Sequence, residues 1–171
     1  MSDSQIELLL GDAHATEVLG GALARAFIRG DEGSAVVYLH GELGAGKTTC
    51  VRSLLRTLGV EGLIRSPTYT LVEAYQPRGI TCVHVDLYRL QGRVEVDELG
   101  LRDYLDTDCL LLVEWPEKGG SALPPADLEL MLTYRDDSRL ARLVAPTARG
   151  RRWLKLLQQD TSLTPYVSNI T

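Results

Sequence analysis

The segment His40–Thr49, HGELGAGKTT, combines residue types suited to gripping a chain of phosphates. Gly41, Gly46, Lys47 and Thr48 fit the spacing G-x-x-x-x-G-K-[ST], and Gly44 adds a glycine inside the loop. Glycines let the backbone bend until its N–H groups converge on an anion. A helix starting near Gly46 adds unpaired N–H groups and the positive end of its dipole. Lys47 supplies a mobile positive charge for β- and γ-phosphates, and the Thr48 hydroxyl suits Mg²⁺. Glu42, Leu43, Gly44, Ala45, Gly46, Lys47, Thr48 and Thr49 thus form a candidate nucleotide loop. Lys47 is one of three lysines among eighteen Lys and Arg, so an ammonium here answers a local demand.

Such a loop needs a carboxylate on the metal side, at the end of a neighbouring buried strand. Glu114 ends CLLLVE and Asp86 ends CVHVD. Glu114 follows the more apolar run and is the better candidate for Mg²⁺, directly or through water. Asp86 then orients water or the metal shell, which makes Lys47, Asp86 and Glu114 the candidate catalytic group. Trp115 follows Glu114 and either stacks near the nucleotide or simply packs. About twenty residues past the loop, Ser66, Thr68 and Thr70 in SPTYT could sense a γ-phosphate and its metal; alone, the segment reads as ordinary turn chemistry. An Asn-Lys-x-Asp element for guanine is missing around Lys118 and Lys155. The expected cofactors are therefore ATP and Mg²⁺.

The elements that must position these groups follow from apolar periodicity. Ile6–Leu10 reads as a strand. Asp12 caps a helix whose stripe is Ala15, Val18, Leu19, Ala22, Leu23, Ala26 and Phe27, ending at Gly30. Ala35–His40 reads as a strand buried on both faces. Cys50, Val51, Leu54, Leu55 and Leu58 form a second helical stripe closed by Gly59. Thr70–Tyr75 and Ile80–Tyr88 read as strands, Val94–Leu105 as a helix and Cys109–Trp115 as a buried strand. Asp127–Tyr134 and Arg139–Ala145 form a hairpin, and Ala148–Gln159 a last amphipathic helix. The expected architecture is α/β, a single P-loop NTPase-like domain over residues 1–160 with a mixed sheet flanked by helices. Residues 161–171 are expected to be a flexible tail.

The 171-residue chain is 44% hydrophobic and 24% charged, which suits one soluble domain. Its net charge of -5 is the wrong sign for gripping nucleic acid unaided. The cluster Arg149, Arg151, Arg152 and Lys155 could touch an acidic partner, but reads first as a solvated helix face. Cys50, Cys82 and Cys109 form no C-x-x-C pair and suit buried apolar sites. The start, MSDSQIELLL, has no basic segment before its apolar residues, and no apolar run reaches membrane length. A cytoplasmic protein without membrane contact is expected.

The blocks GELGAGKTT, SPTYTLVEAY, HVDLYRL and VEWPE, in this order and spacing, resemble the bacterial TsaE (YjeE) family over roughly residues 6–145. The resemblance implies a small ATPase, weak alone, in the formation of threonylcarbamoyladenosine beside the tRNA anticodon. It implies docking on the TsaD–TsaB pair, whose TsaD subunit transfers the group from threonylcarbamoyl-AMP, with ATP hydrolysis sustaining turnover. Contact with tRNA would be indirect, through that complex. Onto this chain it maps Lys47 and Thr48 as phosphate and magnesium ligands, Glu114 as the metal-side carboxylate and Asp86 as a second acidic residue of the ATPase. Trp115 matches a tryptophan beside the site, and Ser66–Tyr69, including Tyr69, a switch loop. Asp12 and Arg142 are further positions that could lie near the nucleotide. Two rivals remain on sequence grounds. One is a P-loop small-molecule kinase with Arg149, Arg151 and Arg152 imitating a lid. The other is a binding module in which ATP only fixes a shape.

Overall fold

The structure is a computed structural model that describes residues 5–30 and 33–168. The reading of the chain start over residues 1–4 lies outside the described residues. Seven strands form one sheet in the order β1-β7-β6-β2-β5-β4-β3. They are β1 (Gln5–Leu10), β2 (Ala35–Gly41), β3 (Val72–Tyr75), β4 (Thr81–Asp86), β5 (Cys109–Glu114), β6 (Leu128–Arg135) and β7 (Ser138–Val144). β2 lies parallel to both β5 and β6, and β4 runs parallel to β5. β1, β7 and β3 pair antiparallel with their neighbours. This is the mixed sheet expected.

The continuous apolar runs of β2 and β5 lie at the centre because both their faces are covered. On one face, Val37, Leu39, Leu110 and Leu112 pack with α1 (Ala13–Arg29), α2 (Lys47–Leu58) and α4 (Ala148–Gln158). On the other, Val36, Val83, Val85, Leu111 and Val113 are covered by Leu87, Leu90, Val96, Leu101 and Leu123. Asp12 caps α1 as its residue type suggests, its Oδ1 accepting the Ala15 N–H at 2.8 Å. α1 crosses α2 closely at Gly20, where a Cβ would stand 2.3 Å from the Cys50 carbonyl oxygen. The three cysteines are free and buried, and burial pushes the Cys50 and Cys82 thiols up to about 12.

Two segments depart from expectation. Val94–Leu105 is not one helix. α3 (Arg93–Asp97) lasts five residues, and Gly100 at φ 62 turns the chain into a 3-10 turn at Asp103–Asp106. Only Val96 and Leu101 of this stretch are fully buried, which is no helical stripe. The tail is also not loose where described. Thr161–Tyr166 forms a 3-10 helix with Leu163 buried, Val167 bridges Leu8, and Arg25 holds Asp160 at 2.9 Å and Ser162 at 2.9 Å. One apolar anchor and a sheet-edge pairing outweigh the polar composition that suggested a free end. Residues 169–171 lie outside the described residues. Among the described residues, no helix is long and apolar enough to cross a membrane.

Candidate functional site

The loop between β2 and α2 needs backbone that L side chains avoid. Gly41, Gly44 and Gly46 have φ of 145°, 76° and 109°. At Gly46 space is tight as well, since a Cβ would lie 3.2 Å from the Thr16 methyl group. Gly46 offers α2 no side-chain cap, so the helix opens into the cleft with its first-turn N–H groups. The cleft holds about 190 Å³, lined by Leu43, Gly44 and the run from Gly46 to Thr49 on one side and by Thr68, Asp86, Tyr88, Glu114 and Trp115 on the other, with Ala45 buried behind the loop.

The Lys47 side chain folds back over this loop. Its ammonium donates to the carbonyls of Gly41 at 2.5 Å and Glu42 at 2.8 Å, and lies 4.2 Å from the Trp115 ring centre. Lys47 is 4% exposed. Burial lowers its pKa, while Glu114, Asp86 and Glu117 pull the other way. A desolvated ammonium held by neutral carbonyls gains by meeting an anion in the same cleft.

Opposite it, parallel pairing sets Asp86 at the end of β4 beside Glu114 at the end of β5. They are 4% and 2% exposed. Glu114 accepts the Thr48 hydroxyl, at 2.9 Å to Oε1 and 3.1 Å to Oε2, and is also bonded to His84 Nε2 at 2.7 Å. With its proton committed to Glu114, the Thr48 hydroxyl has lone pairs left for a cation. Among the described residues no group of three His, Cys, Asp or Glu could hold a metal ion alone. A cation here would therefore need Thr48 and ligand phosphates besides the carboxylates, which fits a nucleotide-bound Mg²⁺. Burial raises the Asp86 pKa, opposed by the Tyr88 N–H at 2.9 Å and helped by neighbouring Glu114.

The SPTYT loop reaches this centre through one residue. Thr68 donates to Asp86 Oδ2 at 3.4 Å and shares a 2.8 Å hydrogen bond with Ser66. Leu71, at φ 65, accepts the Asp86 N–H at 3.0 Å, so the turn joins the same strand end. Thr70 bonds to Glu73, and Tyr69 is 79% exposed beneath the Arg89 guanidinium. Trp115 has left-handed backbone, φ 58, a conformation that costs a non-glycine residue about 1–3 kcal/mol. Its ring sits between Lys47 and Tyr88, whose ring centre is 4.9 Å away.

A family model described as "Threonylcarbamoyl adenosine biosynthesis protein TsaE" matches residues 10–143. The chain belongs to the TsaE family. The tRNA threonylcarbamoyladenosine biosynthesis protein TsaE of Haemophilus influenzae is 48% identical over 120 residues, 70% of this chain and 76% of that protein. The protein of the same name from Streptomyces coelicolor is 39% identical over 140 residues, 79% of this chain and 91% of its own. The crystal structure of Bacillus subtilis YdiB superposes with a TM-score of 0.75 at 25% identity, covering 91% of this chain and 95% of that one. Family members are thus named for tRNA threonylcarbamoyladenosine biosynthesis, and the family and its P-loop NTPase-like fold point to nucleotide binding and hydrolysis.

In this TsaE chain Lys47, Thr48, Asp86, Glu114, Trp115 and Thr68 converge on one cleft. Arg142 does not join them: on β7 it pairs with Glu7 of β1 at 2.7 Å. Asp12 is spent on its cap, one turn before Thr16, which faces Gly46. The arginines that could imitate a kinase lid lie on α4, which packs against α1 away from the cleft, and Arg149 donates to the Gly33 carbonyl. Three contributors went unnoticed in the sequence. His84 is signalled by alternation, two residues before Asp86 on the same strand face. Tyr134 donates to the Leu43 carbonyl at 3.0 Å, and Arg139 to the Gly44 carbonyl at 3.4 Å. Only the β2–β6 register brings that distant hairpin to the loop.

Proposed function

We propose that this protein is a cytoplasmic, Mg²⁺-dependent ATPase that supports threonylcarbamoyladenosine formation on tRNA. It docks on a TsaD–TsaB pair and hydrolyses ATP to sustain that pair's turnover. The observation that carries this reading is the Thr48–Glu114 hydrogen bond, with Asp86 alongside, facing a phosphate loop in a TsaE chain. Lys47 and the first-turn N–H groups of α2 hold the phosphate oxygens. Thr48 and Glu114 hold Mg²⁺, which when bound neutralises charge developing on the phosphates. Asp86, at the adjacent strand end, orients the water that attacks the γ-phosphorus as the bond to ADP breaks. Thr68, bonded to Asp86, couples the SPTYT loop to that event. The net charge of -5 suits a protein that leaves tRNA binding to its partners. Reconstitution tests the reading: TsaD, TsaB, threonylcarbamoyl-AMP and tRNA are turned over with this protein or with Lys47→Ala. Multiple turnovers only with the unmodified chain support it. Equal turnover with both, or without either, would refute it.

A further inference from the structure

His84 is a buried polar group that nucleotide chemistry does not require. It is 0% exposed, on β4, two residues before Asp86. Its Nε2 lies 2.7 Å from Glu114 Oε1. A carboxylate only accepts, so Nε2 carries the proton. The other ring nitrogen, Nδ1, is buried with no partner among the described residues. A histidine kept only for packing gains nothing from that stranded nitrogen, and an apolar side chain would avoid its desolvation. Among the described residues the ring's one polar contact is with Glu114. The Thr48 hydroxyl contacts both oxygens of Glu114, at 2.9 and 3.1 Å, and so does not by itself choose between them. His84 binds Oε1 alone and breaks that symmetry.

We propose that His84 is a positioning residue that fixes the rotation of the Glu114 carboxylate and so sets how tightly the site holds its divalent cation. This rests on the reading of Glu114 as the metal-side carboxylate. Partners behind a ligating group are expected to change metal affinity 10- to 100-fold when removed.

The test uses the full chain loaded with ADP, with protein in excess, and measures Mn²⁺ affinity by loss of the free-ion EPR signal. His84→Asn stops short of Glu114, whereas the His84→Gln amide nitrogen reaches about as far as Nε2. Expected is a Mn²⁺ Kd at least about tenfold weaker for His84→Asn and within about threefold of the unmodified chain for His84→Gln. The Kd for a fluorescent ADP analogue in EDTA should stay within about twofold for both, since His84 touches no phosphate-binding group. Should His84→Asn fail to fold, His84→Met, apolar and of similar volume, takes its place with the same expectation. Glu114→Gln separates the two ideas. If it weakens Mn²⁺ but the His84 variants do not, or if His84→Asn and His84→Gln weaken it equally, His84 only packs and the inference falls. If Glu114→Gln leaves Mn²⁺ affinity unchanged, the metal-side reading falls and the inference with it.

Discussion

Replacing Asp86 with asparagine should make the nucleotide-free protein more stable while disabling it. Asp86 and Glu114 end adjacent parallel strands, both almost fully buried. At the ~5 Å strand spacing and an effective dielectric near 20, two carboxylates repel by about 3 kcal/mol. Lys47, drawn to both, offsets part of this. The neutral amide in Asp86→Asn would keep an oxygen to accept the Tyr88 N–H but weaken the contact with Thr68. The expected net gain is about 1–2 kcal/mol, or roughly 3–6 °C in Tm for a chain of this size. Burial raises the Asp86 pKa above its unfolded value, so its penalty is present above the folded pKa and disappears as pH falls towards the unfolded one. The advantage of Asp86→Asn should therefore be largest at neutral pH and fade as pH drops through the carboxylate range. Thermal unfolding in EDTA between pH 7.5 and pH 4 reads this directly. A variant less stable than the unmodified chain at pH 7.5, or a difference that ignores pH, would mean that the buried Asp86 carboxylate does not destabilise the empty site.

Lys47→Ala removes a charge-assisted phosphate contact and should weaken ATP binding by about 1.5–3 kcal/mol, roughly 10- to 150-fold, as measured by calorimetry. Gly20→Val places a Cβ 2.3 Å from the Cys50 carbonyl oxygen, so α1 and α2 must part; a loss of about 2–3 kcal/mol in urea unfolding is expected. Tyr134→Phe frees the Leu43 carbonyl and should weaken nucleotide binding two- to fivefold, on the order of 0.5–1 kcal/mol, with little change in Tm.

Most of the sheet was legible because its central strands are unbroken apolar runs, and the α1 and α2 stripes repeat every three or four residues between Asp12, Gly30 and Gly59. Val94–Leu105 misled because Glu95, Glu98 and its leucines are good helix formers, whereas Gly100 at φ 62 decides the local path. The tail misled because a single buried Leu163 and a bridge at Val167 are invisible to composition. The meeting of Lys47, Thr48, Asp86 and Glu114 in one cleft could be read from motif and strand ends. Arg142 and Arg139 are three residues apart on one strand and so point to opposite faces. Without the β6–β7 register, nothing says which of them meets the loop.

The decisive measurement is steady-state phosphate release from Mg-ATP, with the chain alone and with a TsaD–TsaB pair. Slow release alone, strong stimulation by the pair, and loss of the stimulated rate in Glu114→Gln are expected. Release that ignores the pair, or that survives Glu114→Gln, would contradict the proposed function.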